Sequence, residues 1–433
     1  MSLVLRTADG AFLDVPSKLS SITTYVILEQ ERWFETEIDF LNAWLAPQLT
    51  AIDIGAQFGV YALPMARRSR HVFAFEADSV ARGHLAQGRI LNHVANLEIA
   101  GEIPVLDAED PKRKWSPDFV RIGADAGPAD VLNGGKRFFE KHSPLVMVQL
   151  GGTDEQKNEL VRTIEAMGYH TYRALPRAPQ LVPRQAGQTV DALAWNLFAA
   201  KQDRAVKLKS RGFIADGIRD WRPNADAHAR GVDFLRRQRF SAPFASLGVS
   251  NRAYADALGG YETWRQSKNA GGLIFAFRSL SALCKASPTI PRLSTLARVA
   301  YEAGRRTEAL AALRQVQQSL KEGATVTEVF WPAHPRFDNS APDETSWTDW
   351  LVASIIETIE RTHPASGCLG PSGVNLNWLV ERPWASTEME RRRVLRALKD
   401  GQPVAVPERL HHAASDHLNA EIWSSGAVER AAH

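Results

Sequence analysis

Short apolar runs of strand length alternate with longer segments of helical spacing between residues 36 and 170. The apolar runs lie at 49–54, 71–75, 97–100, 119–122 and 145–150. The segments with helical spacing lie at 36–46, 60–67, 79–91, 129–141 and 153–167. Strands that alternate with helices predict βα units and a mostly parallel sheet. A further apolar run at 193–199 is expected to form a late strand at a sheet edge.

The pattern changes near residue 201, which predicts a first domain over 1–200 and a polar linker over 201–224. Residues 225–323 have helical spacing throughout. Gly304 separates two helices that carry small residues, and this pair resembles one tetratricopeptide-type hairpin. A second copy is not evident, so a helical bundle that contains one such hairpin is expected.

Residues 324–433 form a tryptophan-rich, mainly helical region, with predicted helices at 346–361 and 386–399. Its tryptophans either pack in a core or form a platform on which a sugar stacks. They are Trp331, Trp347, Trp350, Trp378, Trp384 and Trp423.

The composition narrows the classes of partner. The chain has 433 residues with 52 basic and 49 acidic side chains, and this near balance gives no indication of a nucleic-acid partner. An uninterrupted apolar stretch long enough to span a membrane is absent from the sequence, so we expect no span and a cytoplasmic protein. The two cysteines, Cys284 and Cys368, are far apart, which argues against a disulfide scaffold or a cysteine zinc site. A bound metal is therefore not expected.

The candidate chemistry begins where the first apolar run ends in a glycine loop. Gly55 follows the strand and allows a tight turn, and Gly59 allows a helix to begin close to a ligand. The second strand ends in Glu76, where a carboxylate can accept the two hydroxyls of a ribose. The loop has neither the G-x-G-x-x-G spacing of NAD proteins nor the G-K-[ST] of P-loops. An adenosyl cofactor without a pyrophosphate fits better, which indicates S-adenosylmethionine (SAM).

Several longer segments carry a family resemblance. They are RWFETE at 32–37, AIDIGAQFGVYALPMA at 51–66 and FAFEAD at 73–78. Over about residues 25–200 the chain resembles the FkbM family of SAM-dependent methyltransferases. The resemblance implies a Rossmann-like class I methyltransferase domain, followed here by a mainly α-helical C-terminal region. It also implies methyl transfer to a hydroxyl of a glycan or natural product. The implied cofactor-binding residues are Glu35, Asp53, Gly55, Ala56, Gln57, Gly59 and Glu76.

The chain departs from this family after the fourth strand. The family pattern I-K-I-D-V-E-G-x-E is replaced by VRIGADAGP at 120–128, so Gly123 and Pro128 stand where the family has acids. Gln149 likewise replaces a glutamate at the end of the next strand. Asp125 is the acid that remains, and it is the candidate catalytic base.

Two hypotheses stay open. The chain is an active O-methyltransferase on a small-molecule or glycan acceptor, or it is a catalytically degenerate relative that serves as a binding or scaffold subunit in glycan biosynthesis. In either case the C-terminal helical region is a candidate surface for a protein partner.

Overall fold

The chain forms two compact units that are discontinuous in sequence. The computed structural model describes residues 2–102, 105–108, 115–185, 187–224, 226–362, 366–369, 374–412 and 417–432. The first unit comprises Met1–Ile214, Pro364–Leu369 and Arg391–His433, and the second comprises Ala215–His363 and Gly370–Glu390.

All ten described strands belong to the first unit. They are β1 (Ser2–Arg6), β2 (Phe12–Pro16), β3 (Thr50–Ile54), β4 (His71–Phe75), β5 (Leu97–Ala100), β6 (Phe119–Ile122), β7 (Leu145–Gln149), β8 (His170–Ala174), β9 (Leu181–Pro183) and β10 (Asn196–Ala200). Strands β1 and β2 form a separate antiparallel hairpin. The other eight form one sheet in the order β5-β4-β3-β6-β7-β10-β8-β9.

The main sheet is parallel over its first five strands, and the order of the strands reverses at β3. β3 pairs in parallel with both β4 and β6, and β10 is antiparallel to both β7 and β8. This arrangement confirms the predicted Rossmann-like fold class. In such sheets the crevice at the carboxyl ends of the strands, where the strand order reverses, is the place where ligands bind. Here that point is the end of β3.

Twenty α-helices are described. In the first two hundred and ten residues they are α1 (Ile22–Gln30), α2 (Glu37–Trp44), α3 (Ala62–Ala66), α4 (Ser79–Leu91), α5 (Pro128–Asn133), α6 (Lys136–His142), α7 (Asp154–Ala166) and α8 (Gln202–Ser210). Later helices are α9 (Ala227–Arg236), α10 (Arg252–Ser267), α11 (Ala270–Ala286), α12 (Ile290–Glu302), α13 (Arg306–Lys321), α14 (Trp347–Thr362), α15 (Ser366–Leu369), α16 (Val374–Val380), α17 (Thr387–Lys399), α18 (Glu408–His412), α19 (Ala420–Ser424) and α20 (Ala427–Arg430).

Local chemistry explains where the helices around the site begin. The Asp78 side chain accepts a hydrogen bond from the Ala81 amide at 2.7 Å and so caps α4. Thr153 and Gln156 form a reciprocal capping box at the start of α7. Each cap satisfies amides that the first turn of a helix leaves without a partner.

Three sequence-based expectations differ from the structure. The late strand, β10, lies between β7 and β8 and not at an edge. Strands β8 and β9, which the sequence analysis did not predict, extend the sheet beyond it. The segment 129–141 forms two helices, which Gly134 and Gly135 separate. Part of the predicted linker over 201–224 is helix α8, whose Leu208 is buried in the core of the first unit.

The last part of the chain also differs from expectation, because residues 391–433 belong to the first unit and not to a separate tryptophan-rich region. The Arg392 Nε donates to Glu29 Oε1 at 2.8 Å, and both side chains are buried. Trp423 is 1% exposed, and its indole nitrogen donates to the Leu28 carbonyl at 3.3 Å. The C-terminal segment therefore completes the core around α1.

The second unit is helical and contains a buried polar cluster that we call the helical network: Arg298, Asp338, Tyr261, Glu302 and Trp264. The Arg298 guanidinium donates to both Asp338 oxygens at 2.6 and 2.7 Å, and its Nε donates to the Tyr261 hydroxyl at 2.7 Å. Glu302 accepts from Tyr261 at 2.9 Å and from the Trp264 indole at 2.6 Å. Each nitrogen of the guanidinium thus has an acceptor.

Two further features of the second unit bear on the sequence analysis. Gly304 adopts a φ of +70° in the turn between α12 and α13, as a glycine at a helix–helix turn should. Trp331 and Trp350 are almost fully buried, in agreement with the core interpretation for these two. Within the described residues, every helix is too short or too polar to cross a membrane.

Candidate cofactor site at the carboxyl edge of the sheet

The glycine loop begins with a tight turn immediately after β3. Gly55 has a φ of +80°, and the amides of Gly55 and Ala56 both donate to the Phe75 carbonyl, at 2.9 and 3.0 Å. A Cβ added to Gly55 would lie 3.3 Å from the Ala126 Cβ. The predicted turn therefore exists, and it brings the loop after β3 against the end of β4 and the segment after β6.

The structure gives a packing reason for a glycine at position 59. Its φ is +87°, and a Cβ there would lie 2.6 Å from Leu85 Cδ1 and 2.9 Å from Leu63. The glycine lets α3 and α4 pack closely beneath the loop. The space that a Cβ of residue 59 would occupy is therefore filled by apolar side chains of the protein.

Glu76 lies at the tip of β4 and is 7% exposed. Its Oε2 accepts from the Gln57 amide at 2.7 Å, and its Oε1 accepts from the Asp78 amide at 2.9 Å. One carboxylate thus joins the glycine loop to the start of α4. Because each carboxylate oxygen has two lone pairs, Glu76 keeps acceptor capacity for a further donor.

Asp53 is fully buried and forms an ion pair with Arg121 on β6, with 2.8 Å between Asp53 Oδ1 and Arg121 Nη1. Burial raises the pKa of Asp53, and the positive charge of Arg121 opposes that rise. The guanidinium also lies over the Tyr61 ring, 4.5 Å from its centroid. Arg121 was missed by the sequence analysis, although a single arginine inside the apolar run at 119–122 was a signal for a buried partner.

Glu35 is 1% exposed and connects three parts of the fold. It accepts from Gln149 Nε2 at 3.0 Å, from Asn196 Nδ2 at 2.9 Å and from the Tyr61 hydroxyl. Burial raises the pKa of Tyr61 well above its usual value, and the charge of Glu35 adds to this, so the phenol stays a donor. We call Glu35, Asp53, Tyr61, Arg121, Gln149 and Asn196 the edge network.

The edge network is incomplete in its hydrogen bonds. Asp53 Oδ2, Arg121 Nε and Asn196 Oδ1 are buried atoms that have no hydrogen-bond partner among the described residues. Buried polar atoms are usually paired, and each exception needs an explanation. Here the exceptions cluster where the strand order reverses, at the edge where a ligand is expected.

Asp125 lies on a short 3-10 helix, Ala124–Ala126, and its side chain is exposed. Its Oδ2 accepts from Gln57 Nε2 at 2.8 Å. The candidate base therefore lies directly against the candidate cofactor loop. A ligand that enters between Gln57 and Asp125 must first break this hydrogen bond.

Two of the three replaced acids, those at positions 123 and 149, have structural reasons. A Cβ at Gly123 would lie 3.2 Å from the Gly55 carbonyl oxygen and 3.3 Å from that of Ile54, so a larger residue would push the two loops apart. Gln149 accepts from the Ala124 amide at 3.0 Å while its own amide donates to Glu35. A glutamate at 149 would face the Glu35 carboxylate, whereas glutamine donates to it.

Groups of three or more His, Cys, Asp or Glu side chains placed to hold a metal ion are absent from the described part of the chain. Arg121 occupies the buried centre of the edge network, where it pairs with Asp53.

Comparisons with known proteins give a distant likeness only. The sequence matches no protein-family profile, and it matches no curated protein. Among solved structures, the chain is similar to a SAM-dependent O-methyltransferase from Thermotoga maritima, with 15% identity, 46% of this chain and 77% of that chain covered, and a TM-score of 0.30.

Two other similar structures are a precorrin-6y C5,15-methyltransferase from Geobacter metallireducens and an rRNA methylase from Streptococcus thermophilus. The first is 15% identical over 39% of this chain and 86% of that chain, with a TM-score of 0.29. The second is 14% identical over 39% of this chain and 96% of that chain, with a TM-score of 0.30. Similarity at this level does not identify an activity.

Proposed function

We propose that the chain binds SAM at the carboxyl edge of its sheet and transfers the methyl group to a hydroxyl of a glycan or natural product. The observation that carries the proposal is Glu76: a buried carboxylate at the tip of β4, positioned by the amides of Gln57 and Asp78 beside the turn at Gly55. A nucleoside whose ribose hydroxyls donate to Glu76 would use acceptor capacity that the protein leaves open.

The residues present fit an adenosyl cofactor with an amino acid end. Glu76 can accept from the ribose hydroxyls, and the buried ion pair of Asp53 and Arg121 places one charge of each sign beneath the same edge of the sheet. SAM would supply a methyl group already activated on a sulfonium. The protein would then have to bind SAM, orient the acceptor and remove the proton from the acceptor hydroxyl.

The acceptor hydroxyl must lose a proton as its oxygen attacks the methyl carbon and the carbon–sulfur bond breaks toward sulfur. Asp125 is the proposed acceptor of that proton, because it is exposed at the same edge and contacts the loop at Gln57. Phe34 and Trp195, partly exposed rings 5.0 Å apart, flank β10 beside Gln149 and provide an apolar surface for the acceptor. The FkbM resemblance supports an oxygen acceptor.

A second candidate function is favoured by the hydrogen bonds of Gln149. The oxygen and the nitrogen of its side-chain amide both form hydrogen bonds within the protein. An acid at position 123 would be crowded by the carbonyl oxygens of Ile54 and Gly55. A degenerate relative that binds SAM and acts as a scaffold subunit in glycan assembly would keep the cofactor-binding residues around Glu76. It would have lost the ability to catalyse methyl transfer. The helical second unit is then the candidate surface for a protein partner.

Calorimetric titration of the chain with SAM and with its demethylated product tests the cofactor proposal. Glu76→Ala is expected to weaken SAM binding about ten- to a hundredfold, because a charged acceptor contributes about 1.5–3 kcal/mol. Glu98→Ala, an exposed carboxylate of β5, is the control for the change in net charge. Unchanged affinity in a folded Glu76→Ala variant overturns the site.

Turnover with labelled SAM on a panel of sugar acceptors then separates the two candidate functions. Methyl incorporation supports the enzyme. Binding without incorporation on any acceptor supports the scaffold.

A further inference from the structure

Two buried carboxylates of the edge network share one arginine. Asp53 and Glu35 are both withdrawn from water, as is Arg121. Arg121 forms its ion pair with Asp53, and the charges of these two side chains cancel. Because the other members of the edge network are neutral, the network keeps one net negative charge, and that charge lies on Glu35.

The hydrogen-bond donors of Glu35 within the described part of the chain are neutral groups. They are Gln149 Nε2 at 3.0 Å, Asn196 Nδ2 at 2.9 Å and the hydroxyl of Tyr61. Burial and the negative charge of Glu35 both raise the pKa of Tyr61, so the phenol remains neutral. Neutral donors stabilise a carboxylate but leave its charge uncompensated, and a buried charge acts over a longer distance than an exposed one.

Glu35 is connected to the part of the site where methyl transfer would take place. Its partner Gln149 accepts from the Ala124 amide at 3.0 Å, and Ala124 directly precedes Asp125. The proposed function assigns the ribose to Glu76 and the departing proton to Asp125, so the reacting sulfur belongs between them. The uncompensated charge of Glu35 is therefore one side chain away from the segment that borders the reacting end of the cofactor.

SAM and its demethylated product, S-adenosylhomocysteine, have the same base, ribose and amino acid end. They differ in one methyl group and in the positive charge, which the sulfonium carries and the thioether lacks. A net negative charge buried near the sulfur attracts the sulfonium and has no comparable effect on the thioether. Asp125 contributes less to this difference, because it is exposed and its charge is screened by solvent.

We propose that Glu35 determines the specificity of the site for the charged form of the cofactor, so that SAM binds more tightly than its neutral product. This inference rests on the proposed function and concerns the same site. Glu35 acts through its charge and through Gln149, and it does not contact the reacting atoms. After methyl transfer the product loses the attraction to Glu35, which favours its release and makes the chain weakly inhibited by it.

Isothermal calorimetry of the full chain with the two ligands tests the inference. In the parent chain the Kd of S-adenosylhomocysteine should be at least about tenfold larger than that of SAM. Glu35→Gln should bring the two Kd values within about threefold of each other, because it weakens the binding of SAM and leaves that of the product nearly unchanged. A role of Glu35 that was only structural would weaken both ligands equally.

The edge network can accommodate a glutamine at position 35. Asn196 Oδ1 is a buried acceptor without a partner among the described residues, and rotation of the Asn196 amide would turn this oxygen toward the new side-chain nitrogen. Glu98→Gln removes one charge from an exposed residue of β5 and should leave the ratio of the two Kd values unchanged. Far-ultraviolet circular dichroism confirms that each variant is folded.

A measurement on the parent chain tests the inference without any substitution. The preference for SAM should persist at about 0.5 M sodium chloride, because a buried charge is screened much less than an exposed one. Loss of the preference in salt, equal affinity of the parent chain for the two ligands, or an unchanged ratio in Glu35→Gln overturns the inference and leaves the cofactor site standing. Failure of both ligands to bind overturns the proposed function and this inference together.

Discussion

The edge network and the helical network are both buried clusters built around one arginine, and they differ in completeness. In the helical network each guanidinium nitrogen of Arg298 donates to an acceptor. In the edge network Arg121 Nε and Asp53 Oδ2 have no partner among the described residues. A complete cluster stabilises one fold, whereas an incomplete one is retained at a cost in stability. On this basis we propose that the edge network serves binding, whereas the helical network serves folding.

Removal of Arg298 is expected to have the largest effect on stability. Arg298→Ala leaves Asp338 without its bidentate partner in a buried site and should lower the free energy of unfolding by about 3–5 kcal/mol, as measured by urea denaturation. Arg252→Ala breaks an exposed ion pair with Asp256 and should change the free energy of unfolding by less than about 1 kcal/mol. Equal losses in the two variants would remove the basis for treating the helical network as structural.

Asp125→Asn tests the functional side of the comparison. If the chain is an active methyltransferase, loss of the base should lower turnover by about a hundredfold or more while SAM affinity stays nearly constant. The measurement is the initial rate of methyl incorporation beside a calorimetric Kd. An active chain whose Asp125→Asn variant is equally fast would contradict the assignment of the base.

His417 is a buried group of the first unit whose two ring nitrogens are both engaged, so it belongs with the complete clusters. Nε2 contacts the Leu28 carbonyl at 3.0 Å, and Nδ1 accepts from the Asn419 amide at 2.9 Å, which requires the neutral ring. Burial lowers the pKa of His417 to about 3, and the positive charge of Arg391 adds to the effect.

Because this pKa is below the value of about 6.5 in the unfolded chain, the unfolded state takes up the proton first as the pH falls. His417 should therefore make the free energy of unfolding about 2 kcal/mol lower at pH 5 than at pH 8. Urea denaturation at both pH values should show a smaller loss in His417→Gln than in the parent chain. An identical loss would mean that the ring is not neutral in the fold.

Exchange of arginine for lysine in the edge network should have the smallest effect. Arg121 donates to Asp53 at 2.8 Å, to the Gly55 carbonyl at 3.1 Å and to Gln149 Oε1 at 3.4 Å. A lysine can keep the short contact with Asp53, so Arg121→Lys should cost about 1 kcal/mol of stability. Arg298→Lys loses a bidentate pair and should cost about twice as much. Urea denaturation of the two variants compares them directly. A larger loss of stability in Arg121→Lys than in Arg298→Lys would contradict the difference between the two networks.

The sequence predicted the parts of the fold that depend on local pattern. The first five strands of the sheet, the glycine turn at Gly55 and the carboxylate at Glu76 follow from apolar periodicity and a short motif. Strands β8 and β9 were missed because their residues alternate weakly and are recognisable only once β8 pairs with β10 and β9 pairs with β8. Arg121 and the membership of Arg391–His433 in the first unit depend on contacts between residues far apart in sequence, which periodicity does not encode.

The discontinuity of the first unit has a consequence for synthesis. Glu29 is joined to Arg392, and Leu28 to Trp423, so the core around α1 lacks these two partners until the ribosome has made more than three hundred further residues. The helical unit is encoded between these parts and is built largely from neighbouring helices, which form quickly. We therefore expect the order of folding to invert the order of translation, with α1 exposed on the nascent chain and dependent on holdase chaperones until the last segment emerges.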